Sequence, residues 1–245
     1  MSDTDLTNGE KLIIPSIMGE RFSDIEGLVD LVHDIAPWVQ LDVMDGRFVG
    51  STGWPYEDGQ WAELEKLAAH GPLSWELPYG DSVSYEAHLM VAEPERVGAL
   101  LAKAGVKRLI PHALTLKPAE TPGIFARWRE AGAAEIGISL MPDTPVSVIE
   151  PYAAELSVIQ IMGITTIGRQ GEAFDRRAIE RIAEVHAAYP GLPISVDGGV
   201  NLTSLELLAL TEATRFIIGS ALFRTDNLPL AYRQLKRAAN MPRGG

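Results

Sequence analysis

Residues 38–48 read WVQLDVMDGRF, an apolar run that meets two acids three positions apart, Asp42 and Asp45. Trp38, Val39, Leu41 and Val43 have the composition of a strand entering a core. Gln40 and Asp42 interrupt it. An unpaired carboxylate is costly to bury, so an acid at the end of such a strand serves a partner, a metal or a reaction. The same texture, a short β-branched run followed by a longer helical pattern, recurs along the chain. Strands are expected at 12–17, 39–44, 84–90, 107–112, 135–140, 157–162, 193–196 and 215–218. Helical patterns lie between them, for example at 24–35, 94–104, 175–188 and 204–210. Pro94 after Glu93 marks one helix start, and Asp143-Thr144-Pro145 marks the start of a fifth helix.

Eight strands alternating with eight helices predict an α/β protein, a closed parallel (β/α)8 TIM barrel. The chain of 245 residues suits one such domain of roughly 250 residues, spanning 1–245 with flexible tails at 1–10 and 241–245. A doubly wound open sheet is the alternative, but no G-x-G-x-x-G follows the first strand. The stretch GPLSWELPYGDSVSY, 71–85, is rich in Pro, Gly and Ser and is expected to loop across the bottom face.

Composition excludes several classes. The chain has no cysteine, which removes thiol nucleophiles, thiolate metal sites and disulfide frameworks. Its net charge of −12 argues against nucleic acid or an anionic membrane as the main partner. No apolar stretch approaches the roughly 20 residues of a membrane span, and MSDTDLTNGEK lacks the regions of a signal peptide. A cytoplasmic protein, assembled as a homo-oligomer, is the expectation.

In barrels of this kind chemistry sits at the C-terminal ends of the strands. The polar residues falling there are Ser16, Asp42, His88, His112 and Asp197. Each alone has a bland reading, such as scaffold histidine or turn-forming aspartate. Convergence of five from five strands on one mouth raises the functional reading. Met44, Met90 and Met162 close their strands on the same side, where core packing is the default reading.

The pieces IIPSIM (13–18), LDVMDGRFV (41–49), EAHLMVAEPER (86–96), LIPHA (109–113), ISLMPDTPVSVIEPY (138–152), ISVDGGVN (194–201) and IIGSALF (217–223) occur in order from first strand to last. In these the chain resembles the ribulose-phosphate 3-epimerase family. The resemblance implies an enzyme that inverts one carbon of a ketose phosphate by proton removal and return through an enediolate. It implies Asp42 and Asp197 as the two proton carriers, with substrate contacts from Ser16, Met44, Met90, His112 and Met162. It further implies a divalent metal, zinc, iron, manganese or magnesium, on Asp42, His88 and Asp197.

Three departures stand out against that family. Its strand-two pattern is His-x-Asp-x-Met-Asp-Gly, and Gln40 replaces the metal-binding histidine. An amide oxygen is a harder, weaker donor than imidazole, so a weakly held metal is expected. The glycine-rich loop after strand six is replaced by GITTIGRQGEAF (163–174). A phosphate pocket is still expected from Gly168, Arg169, Gly198, Gly199, Gly219 and Ser220, since glycine-turn amides form anion sites. The loop around Gly50-Ser51 and Gly53-Trp54-Pro55-Tyr56 also differs, and it is expected to border the sugar. The alternatives are an epimerase for another ketose phosphate such as allulose 6-phosphate, or a non-catalytic or metal-free sugar-phosphate-binding relative. A decarboxylase or aldolase of the same superfamily would place lysine where Met44 stands.

Overall fold

The computed structural model describes residues 10–70 and 77–241. Among them eight parallel strands close into a barrel in chain order. The strands are β1 (Leu12–Ile17), β2 (Trp38–Met44), β3 (Ser84–Met90), β4 (Arg108–Pro111), β5 (Glu135–Leu140), β6 (Val158–Met162), β7 (Ile194–Asp197) and β8 (Arg215–Ile218). The helices are α1 (Phe22–Asp30), α2 (Trp61–His70), α3 (Pro94–Lys103), α4 (Thr121–Ala131), α5 (Arg177–Ala188), α6 (Leu202–Leu208), α7 (Ser220–Phe223) and α8 (Leu228–Ala239).

Strands covered by helices need an apolar outer face, and these have one. Outward side chains such as Ile13, Leu41, Val43, Leu89 and Ile138 join the core shared with the helices. Alternate residues point into the barrel, where Leu12, Ile14, Trp38 and Ile217 form a separate apolar cluster. Beside it lies a charged plug. Glu86 Oε2 accepts from Arg108 at 2.6 Å and from Arg215 at 2.5 Å, all three buried. The Arg108 guanidinium stacks 4.5 Å above the Trp38 ring.

The expected alternation holds with one correction. No α-helix follows Asp143-Thr144-Pro145; the β5–β6 connection carries two 3-10 turns, Val146–Ile149 and Ala153–Glu155. Pro142, Pro145 and Pro151 explain this, because each removes a donor and proline disfavours helix in the residue before it. The helix count is made up after β8, where α7 and α8 follow in succession. α1 stops at Asp30, short of the expected 35, and continues as turns. α6 starts two residues early because Asn201 accepts from the amides of Thr203 and Ser204 at 2.9 and 3.1 Å. Of the expected bottom loop, 71–76 lie outside the described residues, as do the tails 1–9 and 242–245. Leu77–Val83 form turns at the bottom of the barrel, and Ser84 and Tyr85 already belong to β3.

The outer layer is tightly fitted where α3 crosses α4. A methyl group at Gly98 would lie 2.5 Å from Trp128 Cε2. Trp128 is fully buried and its indole donates to the Glu95 carbonyl at 2.9 Å, so it has no room to yield. Gly98→Ala is expected to destabilise the fold by about 1–3 kcal/mol through overpacking, despite alanine's better helix propensity. Urea unfolding of the two proteins measures this, and an alanine variant as stable as the parent would contradict it.

Candidate active site

β2, β3 and β7 each deliver one ligand-type side chain to the mouth of the barrel. In β2 the period of two that sends Trp38 inward also sends Gln40, Asp42 and Met44 inward. Asp42 pairs in register with His88 on β3, and Asp197 closes β7 beside Met162. Asp42, His88 and Asp197 thereby bring one donor atom each into a group lying within 4.8 Å. His88 Nδ1 stands 3.0 Å from Asp197 Oδ2 and 3.5 Å from Asp42 Oδ1. It nevertheless makes no hydrogen bond of acceptable angle, and it is buried. A nitrogen aimed between two carboxylates, but along neither, suits a cation held by all three groups.

Amides and a hydroxyl complete the cluster. Gln40 Nε2 donates to Asp42 Oδ1 at 2.9 Å and to Asp197 Oδ2 at 2.8 Å, bridging the two acids. Ser16 Oγ donates to Asp42 Oδ2 at 2.6 Å. Gln160 on β6 donates to Asp197 Oδ2 at 3.0 Å. Behind His88, His112 is fully buried, with the two Nε2 atoms 2.8 Å apart.

Electrostatics follow from this crowding. Burial works against a charge on His88, but the two carboxylates, Asp197 foremost, outweigh it and raise its pKa to about 9. Burial lifts Asp197 above the ordinary carboxylate range and the Asp42 charge adds to this, while His88 and Gln40 pull the other way. His112 is held well below the usual histidine value by burial and by the charge on His88. This favours its neutral form, in which one ring nitrogen can accept, and its Nε2 lies 2.8 Å from His88 Nε2.

Above the cluster opens a cavity of about 200 Å3, lined at its floor by Ser16, Asp42, His88 and Asp197. Met18, Met90 and Met162 form its apolar wall. Its far end is made of Gly168, Gly198, Gly199, Gly219 and Ser220, together with Arg169 and Gln170. Gly198 and Gly199 both take positive φ, +98° and +67°, and a side chain on Gly199 would strike the Phe174 backbone at 2.6 Å. The residues expected for the acid pair and the phosphate end are thus brought to one cavity. Arg169 stands at its rim, paired with Glu172 at 2.6 Å and largely exposed.

Other expected residues fall elsewhere. Met44 packs against Val49 and Met90, and His112 lies behind His88; neither lines the cavity. Gln40 sits beneath the acids. The loop after β2 does not reach the cavity either. Its Trp54 is buried against Phe22 of α1, ring centroids 5.4 Å apart, so that unusual segment closes the core beside α1. Asp45 is a loop staple. Its Oδ1 accepts from the amides of Arg47 and Phe48, and its Oδ2 from Ala92 at 2.7 Å, tying the β2 and β3 loops together. Met18, Gln160 and Gln170 were missed from sequence. Met18 was accessible from alternation, two positions beyond Ser16. Gln160 was visible only as a polar residue inside the apolar run VIQIM.

The model of the ribulose-phosphate 3 epimerase family matches residues 12–223. The chain belongs to that family. It is 28% identical to the ribulose-phosphate 3-epimerase of Schizosaccharomyces pombe over 217 residues, 88% of each chain. It is 27% identical to the Mycobacterium tuberculosis enzyme of that name over 239 residues, 95% of each. Among solved structures, 3-hexulose-6-phosphate synthase from Salmonella typhimurium superposes with a TM-score of 0.66 at 14% identity, covering 93% of this chain and 98% of that one. That likeness speaks for the barrel alone. Among the described residues no helix is long and apolar enough to cross a membrane.

Proposed function

We propose that this protein epimerises a ketose phosphate, ribulose 5-phosphate or a close analogue, at the carbon beside its carbonyl. The observation that carries this reading is the meeting of Asp42 and Asp197 at one cavity floor, bridged by Gln40 and flanked by His88. A C–H next to a carbonyl is a feeble acid, so a base must be held against it and the developing oxyanion stabilised. One carboxylate takes the proton from one face of the sugar while the other returns a proton from the opposite face. Ser16 holds Asp42 at 2.6 Å, which fixes that oxygen's direction. Met18, Met90 and Met162 keep water from the enediolate. Asp42, His88 and Asp197 would hold a divalent cation, which when bound supplies Lewis-acid stabilisation of the substrate oxygens. Lyase chemistry that relies on a strand-two amine has no support here, because Met44 occupies that position.

The phosphate would rest on backbone amides around Gly168, Gly198–Gly199 and Gly219–Ser220. Arg169 lines that end of the cavity from its exposed rim, with its Nε paired to Glu172. Arg169→Ala is therefore expected to raise KM by about tenfold or less and to leave kcat nearly unchanged, because phosphate contact is uniform binding. Steady-state kinetics decide; a selective loss of kcat would remove Arg169 from the phosphate site. The activity itself is tested by incubating the protein with ribulose 5-phosphate in deuterium oxide. Deuterium at C3 together with the xylulose epimer is the expected result, and neither appearing would overturn the reading. Elemental analysis of the same preparation identifies the metal.

A further inference from the structure

Gln160 is an uncharged polar residue in a strand otherwise made of Val, Ile and Met, and it is fully buried. A primary amide is costly to bury without partners. Its Nε2 has one, Asp197 Oδ2 at 3.0 Å, while its Oε1 has none. The same carboxylate oxygen accepts from Gln40 Nε2 at 2.8 Å and faces His88 Nδ1 at 3.0 Å. Two amides, from β2 and β6, thus donate to Oδ2 of Asp197, with His88 of β3 standing close beside it. No hydrogen bond reaches its Oδ1 among the described residues, and the side chain lines the cavity. The other acid differs, because Asp42 has both oxygens engaged, Oδ1 by Gln40 and Oδ2 by Ser16.

We infer that Gln160 is a positioning residue for proton transfer: with Gln40 it clamps Asp197 by Oδ2 and leaves Oδ1 as the oxygen presented to the substrate. The inference rests on the epimerase reading and deepens it by dividing labour between the carboxylates. A carboxylate held by one oxygen swings about its Cβ–Cγ bond unless that oxygen is fixed from more than one direction. Gln40 alone, on β2, is shared with Asp42 and defines one direction. Gln160, on β6, supplies the second and belongs to Asp197 only. Proton abstraction depends steeply on such alignment, and a displacement of about 1 Å costs on the order of 100-fold.

The test is Gln160→Met, which keeps the length and bulk of the side chain and removes the donor. The expected result is a 10- to 100-fold fall in kcat on ribulose 5-phosphate, with KM within about threefold and the thermal midpoint close to that of the parent. An unchanged kcat, or a loss of activity accompanied by loss of the fold, would make Gln160 a structural residue and overturn the clamp. A parent protein inactive on ribulose 5-phosphate would instead overturn the epimerase reading. The clamp is then judged from crystal structures of parent and variant. Asp197 is expected to turn away from its parental orientation in Gln160→Met, and an unmoved carboxylate overturns the inference.

Discussion

Asp42→Asn or Asp197→Asn is expected to lower turnover by about 100- to 10,000-fold while leaving the barrel folded, the range over which a positioned acid or base contributes. Epimerisation needs a proton carrier on each face of the sugar, so neither acid can cover for the other. Asparagine keeps the shape of the side chain and one acceptor oxygen. In Asp197→Asn that oxygen can still receive Gln40 and Gln160, which now donate to Oδ2 at 2.8 and 3.0 Å. In Asp42→Asn it can still receive Ser16, now 2.6 Å away. What is lost is the charge and the proton. The histidine reports this independently. The two carboxylates hold His88 up at about 9 against its burial, so removing either should let it titrate at lower pH. Circular dichroism, single-turnover kinetics and histidine NMR test the three parts. Full activity in either variant would exclude two-base transfer through this pair.

Gln40→His should tighten metal binding by about 10- to 100-fold and turn preference toward zinc or iron. The amide nitrogen of Gln40 points at both acids, 2.9 Å from Asp42 and 2.8 Å from Asp197, and a protonated amide nitrogen cannot ligate. To offer Oε1, which has no partner, the amide must turn over and give up two hydrogen bonds to carboxylates, one of them fully buried. Each is worth about 1.5–3 kcal/mol, and that loss is deducted from any metal affinity gained. An imidazole at the same position adds a nitrogen ligand without such a reversal. The parent should therefore release its metal to EDTA dialysis at concentrations that leave Gln40→His loaded. Atomic absorption after dialysis and calorimetric titration with zinc and manganese measure the difference. A parent that keeps stoichiometric zinc through dialysis would refute this account of Gln40.

The two acids of WVQLDVMDGRF have separate fates, and their separation marks the limit of what sequence carries. Asp42 faces the cavity, as its place at a strand end with inward parity predicts. Asp45 looked equivalent, three positions on, yet its oxygens cap the amides of Arg47, Phe48 and Ala92. Only the fold places Ala92 there, on the next loop of the barrel.

By itself the sequence determined the alternation of strands and helices, the inward parity of Gln40, Asp42, His88 and Asp197, and the glycine turns at the far end of the cavity. These are local properties, set by side-chain period and by backbone positions that glycine tolerates. The tertiary structure alone decided which atoms meet. It buried Trp54 against α1 and put His112 behind His88 rather than in the cavity. It also joined Gln160 to Asp197, 37 residues apart in sequence. Such contacts depend on the register between neighbouring strands and on closure of the barrel, which no single strand encodes.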